Sequence, residues 1–225
     1  MKRISIGFTL LLTLLTSAAW AQQSQNPYSD IFASPFDRYV TFNISARYGV
    51  SMPLGGQKGY INQVSPANFA LDGEWLFPQR FSVGLKSGYQ YSQQRQGRQV
   101  VSSSDGNFVQ DISAVQTRTL SIIPVMASLS YYFAENSAAL RPYVQIAGGG
   151  AYADYTNYFG TLTDQSNGFK TAFAPAIGVK YYGKREQRLG GEIQVQYQQV
   201  NFSYEQLTGS APSLMLSAGI SYRFY

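Results

Sequence analysis

Two carboxylates set two positions apart, Asp72 and Glu74, are the residues of this chain best suited to do chemistry. On a strand that spacing turns both side chains to one face. Paired carboxylates there could act as general acid and base, as in glycoside cleavage. The competing reading is a salt-bridge network with cations of neighbouring strands. The chain has no histidine and no cysteine. That removes the Ser–His nucleophile, the usual neutral-pH acid–base group and the commonest zinc ligands. Gly148-Gly-Gly150 lacks the further glycine and the Lys-Ser/Thr of a phosphate loop. Asn43-Ile-Ser45 and Asn201-Phe-Ser203 are glycosylation triplets of the kind that chance supplies. The sequence therefore calls for no catalytic residue, no metal and no cofactor.

The elements that must position these groups are strands. Apolar and polar residues alternate with period two in eight segments, near 39–51, 68–77, 81–93, 117–133, 142–154, 169–182, 189–199 and 214–225. In the fourth, the parity changes between Ile122 and Ile123 beside Pro124, and the reading there is a β-bulge. If residues 78–80 form a three-residue hairpin, Asp72 lies across from Lys86; across the next-to-last turn, Lys180 and Glu192 lie within diagonal reach. Arg47 and Arg223 fall on the same polar face as Asp72, Glu74, Lys86, Lys180 and Glu192. In a narrow interior these charges must pair, which favours the network over catalysis.

That polar face is the inner one. The opposite face of all eight segments is almost free of charge, whereas a solvent-facing surface carries roughly a quarter to a third charged residues. Aromatics gather near both ends of the apolar face, with Trp75, Tyr131, Phe133 and Phe224 toward the short connections and Tyr48, Tyr89 and Tyr152 toward the long ones. Two aromatic girdles and alternating loop lengths are features of a membrane barrel, with short periplasmic turns (78–80, 134–141, 183–188) against longer outer loops, the longest at 94–116. The low charge and slightly negative mean hydropathy of −0.18 agree, because the two faces cancel in any average. Eight strands leave an interior that side chains can fill, and Tyr132, Tyr143, Tyr182 and Met215 would help fill it.

The ends of the chain fit this reading. Residues 1–21 combine basic Lys2 and Arg3, an apolar run from Ile4 to Leu15 and the small-x-small site Ala19-Trp-Ala21, the layout of a secretory signal peptide. Loss of Lys2 and Arg3 would lower the formal charge of +5 by two, and so weak and scattered a surplus is no nucleic-acid footprint. Residues 22–37 read as a periplasmic lead-in and 38–225 as the barrel. The last strand carries Ser217, Gly219, Tyr222 and Phe224, spaced like the C-terminal assembly signal of outer-membrane barrels, with Tyr225 one residue beyond its usual end.

With these features the chain resembles the small eight-stranded outer-membrane barrel superfamily that includes OmpA-like, OmpX-like and OmpW-like proteins. The resemblance implies an all-β fold, an eight-stranded antiparallel up-and-down transmembrane β-barrel in the Gram-negative outer membrane. It implies a monomer whose partners are outer-membrane lipid and, through the C-terminal strand, the barrel-assembly machinery. The expected function is non-catalytic, contributing to membrane structure or surface interaction through the outer loops, with a lumen plugged by charges. The alternative is a narrow pore or conduit for small solutes or hydrophobic molecules.

Overall fold

A computed structural model describes residues 34–105, 108–159, 162–184, 187–204, 207 and 209–224. The proposed signal peptide, most of the lead-in and Tyr225 lie outside the described residues. The chain forms a short helix α1 (Pro35–Arg38) and then strand β1 (Thr41–Pro53), helix α2 (Gly55–Tyr60) and strand β2 (Ser65–Leu76). Six further strands follow, β3 (Phe81–Asp105), β4 (Phe108–Tyr132), β5 (Leu140–Phe159), β6 (Leu162–Tyr181), β7 (Leu189–Val200) and β8 (Ala211–Phe224). Each pairs antiparallel with its sequence neighbour and β8 returns to β1, so the sheet is a closed barrel.

Closure satisfies every strand edge around the barrel wall, and alternation then sorts the side chains. Leu85 is 61% exposed and Ile193 60%, while Arg47 and Lys180 are 2% and Glu192 3%. The outside is apolar and the inside polar, inverted relative to a soluble barrel. Outward Trp75, Tyr131, Phe133 and Phe224 lie toward the turns, and Tyr48, Tyr89 and Tyr152 toward the loops.

Four expectations about the strands meet different outcomes. The hairpin at 78–80 forms, with Phe77 N–H donating to Phe81 C=O at 2.9 Å and Arg80 in the left-handed region at φ 69°. It sets Asp72 opposite Lys86. Segment 94–116, read as a long outer loop, is instead a continuation of β3 and β4 that stays paired to Asp105↔Phe108. Its Val, Ile and Phe residues suit a ladder, and a stretch without a lipid face lacks the apolar alternation that marks the wall. The β5–β6 hairpin likewise runs on to Phe159↔Leu162.

The bulge expected beside Pro124 is absent, a correction with a clear cause. Ser87↔Val125 and Gln90↔Ile122 share one register, and Ile123↔Tyr152 and Pro124↔Ala151 continue it on the other side. Leu120, Ile122 and Met126 all face inward and are 1% exposed. The parity change was therefore only apparent: the loop half of the lumen is itself apolar. The register shift of this hairpin lies instead between Arg95 and Arg98.

Candidate functional site in the barrel interior

The interior is layered along the barrel axis. Near its turn end, β1 contributes Asn43, Ser45 and Arg47, β2 contributes Asp72 and Glu74, β6 contributes Lys180 and β7 contributes Glu192, all buried. Arg47 forms an ion pair with Asp72 and reaches Glu192 Oε1 at 2.8 Å through Nη1. Lys180 pairs with Glu74 and lies 3.9 Å from Glu192 Oε2. Glu74 also accepts from Asn43 Nδ2 at 2.7 Å, Tyr132 OH at 2.6 Å and Ser82 Oγ at 2.6 Å. Two cations thus hold three carboxylates, and hydrogen bonds complete the shell of Glu74, while Asp72 Oδ1 and Glu192 Oε2 have no hydrogen-bond partner.

Two predicted members sit elsewhere. Lys86 faces Asp72 in the ladder, yet its Nζ donates to Gln145 Oε1 at 3.1 Å and Gln194 Oε1 at 3.2 Å, in a neutral amide layer above the ion pairs. Arg47 engages Asp72 through Oδ2, and the Lys86 ammonium lies instead at the level of the amides. Arg223 lies at the turn end, where its guanidinium donates to the backbone oxygens of Gln187 and Asn136. Beyond Lys86 come Gln90, bonded to Ser51 Oγ at 2.8 Å, then Gln198 and Gln196.

Sequence reasoning missed a column of alternating cations and rings at the turn end. The Arg223 guanidinium carbon lies 4.2 Å from the Phe36 ring centre and 3.7 Å from that of Tyr182. Arg141 lies 5.9 Å from Tyr182 and 4.2 Å from Tyr132, and Lys180 5.6 Å from Tyr132 and 5.5 Å from Tyr143. Tyr143 OH then donates to Glu192. Arg141 Nη2 donates to Asn136 Oδ1 at 3.2 Å while Nε and Nη1 have no hydrogen-bond partner, so the aromatic faces supply much of what stabilises that buried cation. α1 closes the column by inserting Phe36, with Asp37 Oδ1 accepting from Ser137 N–H at 3.1 Å. The available signal was the inward parity of Tyr132, Tyr182, Arg141 and Arg223 along their strands.

The loop half is closed differently. Leu120, Ile122, Met126, Ala147, Ala151 and Ala153 form an apolar cluster with residues folded in from the loops, Tyr60, Ile61, Phe202 and Leu207. Tyr60, the last residue of α2, stacks on Tyr155 at 4.2 Å and donates to Thr156 C=O at 2.8 Å. Burial, reinforced by Tyr155, pushes its hydroxyl well above the ordinary tyrosine range. Tyr204 meets Tyr155 edge-on at 5.0 Å. Among the described residues no group of three or more metal-ligating side chains is arranged to hold a metal ion.

Ser217, Gly219, Tyr222 and Phe224 all lie on β8, with Gly219 on the seam to β1. A Cβ at Gly219 would collide with the Ala46 carbonyl oxygen and sit 2.6 Å from Arg47 Cα, and one at Gly49 would sit 2.6 Å from Ser217 Cα. Tyr222 and Phe224 pack edge-on outside the wall at 4.7 Å.

No protein-family model matches the sequence, and no curated protein matches it. Among solved structures it is similar to Neisserial surface protein A, with 13% identity over 82% of this chain and 97% of that one and a TM-score of 0.49. The N-terminal β-barrel domain of OprF from Pseudomonas aeruginosa gives 14%, 83%, 100% and 0.43 for the same measures. Ail of Yersinia pestis gives 15%, 82%, 97% and 0.43. By its own strand order and side-chain sorting, the chain is a closed eight-stranded antiparallel up-and-down barrel with an apolar outer wall.

Proposed function

We propose that this chain is a non-catalytic integral protein of the outer membrane that contributes to membrane structure or surface interaction through its loop end. The observation that carries the reading is the sorting of side chains. An unbroken apolar wall with aromatic ends would be unstable in water and is matched to hydrocarbon. The interior supports a closed barrel, because an ion-pair cluster, an amide layer and an apolar plug follow one another along the axis. The engagement of Asp72 and Glu74 by Arg47 and Lys180 favours the network over a catalytic carboxylate pair. The hairpins of β3–β4 and β5–β6 extend beyond the eight-strand wall and offer the surface for interaction.

The membrane orientation follows from the short turns and is tested by labelling. Cysteine at Thr163, in the loop-end hairpin, should react with an impermeant thiol reagent on intact cells. Cysteine at Lys184, in the last turn, should react only after the outer membrane is broken. Labelling of Lys184→Cys on intact cells would overturn the orientation, and recovery of the protein from the soluble fraction would overturn the membrane assignment.

A further inference from the structure

We propose that Arg95 and Arg98 form an outward-facing clamp for lipid phosphate groups just beyond the loop-end aromatic girdle. The proposal rests on the membrane-spanning reading above and deepens it. The register carries it. Arg95 pairs with Thr117 and Arg98 with Val115, so between these points β3 sets two residues against one of β4. The extra residue is a bulge at Gln96-Gly97. Without it, residues three apart on a strand would face opposite ways. With it, both arginines share the outward face of Thr117 and Val115, and both are exposed.

That face continues the lipid-facing wall. Tyr89 and Tyr91 stack at 6.4 Å on the same face of the same strand and mark the upper girdle. Arg95 lies four residues past Tyr91, about 13 Å along a strand at ~3.3 Å per residue, or roughly 9 Å in height at a 45° tilt. A headgroup zone roughly 5–8 Å deep lies there, and an arginine side chain is long enough to reach back down to it. Neither arginine takes part in any ion pair among the described residues. Asp154, level with Tyr91 in the ladder, already accepts from Thr156 Oγ1 at 3.1 Å and Gln165 Nε2 at 3.2 Å. Two like charges held two ladder positions apart on one face, with no ion-pair partner among the described residues, match an anion of more than one charge, and guanidinium groups bind phosphate oxygens in pairs.

The test compares wild type with Arg95→Gln/Arg98→Gln, refolded into vesicles of phosphatidylcholine alone or with added phosphatidic acid. Both proteins should unfold at the same temperature in phosphatidylcholine, since the side chains are exposed. Phosphatidic acid should raise the wild-type midpoint by about 3 °C more than that of the variant, as expected for a modest gain in a chain of this size. High salt should erase the difference. Lys184→Gln, at the opposite end, should respond as wild type does. An equal rise in wild type and double variant would overturn the clamp. A rise produced by inorganic phosphate added to pure phosphatidylcholine vesicles would overturn the lipid assignment in favour of a dissolved anion. Failure of the wild type to enter either vesicle would instead overturn the membrane reading itself.

Discussion

Replacing Glu74 with alanine should be among the most damaging single changes in this protein. Its carboxylate pairs with Lys180 and accepts from Asn43, Tyr132 and Ser82, all within the closed interior. The substitution strands the Lys180 ammonium, which is 2% exposed and keeps only Glu192 at 3.9 Å among its ion pairs. Removing one partner of a buried pair costs about 3–5 kcal/mol, and three orphaned neutral donors push the loss toward the upper half of that range. Lys86→Ala is the matched comparison. Its acceptors are the neutral amides of Gln145 and Gln194, which also bond to each other at 2.9 Å. Losing it should cost about 1.5–3 kcal/mol, the worth of hydrogen bonds from a charged donor, and strands no charge. Urea unfolding in short-chain phosphatidylcholine vesicles, followed by far-UV circular dichroism, measures both. The double variant Glu74→Ala/Lys180→Met should recover part of the loss, because no unpaired cation remains. Equal costs for Glu74→Ala and Lys86→Ala, or no recovery in the double variant, would refute the ion-pair assignment.

Three further outcomes follow from the wall, the seam and the turn end. Leu85→Arg, on the lipid face near the middle of the part of β3 that lies below the Tyr89–Tyr91 girdle, should cost about 2–4 kcal/mol in the same titration, whereas Gln93→Arg, beyond the girdle, should stay within about 0.5 kcal/mol; comparable costs would contradict the placement of the apolar band. Gly219→Val should weaken closure of β8 on β1 by at least about 2 kcal/mol through overpacking and lower the yield of the heat-modifiable folded band, whereas Gly148→Ala, with nothing within 4 Å of its Cβ, should refold normally. Arg223→Ala removes the cation stacked on Phe36 and Tyr182, so trypsin should cut after Arg38 about tenfold faster, reflecting the loss of ~1–2 kcal/mol of cation–π anchoring at α1. An unchanged cleavage rate would show that α1 is held by other contacts.

Much of the fold was legible because a membrane barrel writes its wall in period two. The lipid-facing residues of every strand except the loop half of β4, the tight turn at 78–80 and the Asp72↔Lys86 register could all be read from alternation and turn length. Alternation fails where both faces have one character. Beyond the girdle, residues 94–116 lose the apolar face but keep the ladder, so a long hairpin looked like a loop. At Leu120 and Ile122 the inner face turns apolar too, which imitated a bulge. The charge cluster was half readable for a related reason. Parity gives the side of the wall, whereas the partner depends on depth and side-chain reach, so Arg47 pairs with Asp72 while Lys86 bonds to amides. Arg223 needed knowledge of α1 and of the last turn, whose backbone oxygens receive it. The cation–aromatic column joins residues from four different strands and α1, a long-range stacking that no local spacing encodes.

The central claim is a lipid-embedded barrel closed along its axis, and planar-bilayer recording of purified, refolded protein tests it most directly. A lumen filled by the Arg47–Asp72–Glu192 and Glu74–Lys180 pairs, the amide layer and the loop-end plug should leave the membrane at baseline, with no steady channel openings. Large, stable single-channel currents from the unmodified protein would contradict the closed barrel and establish the pore in its place.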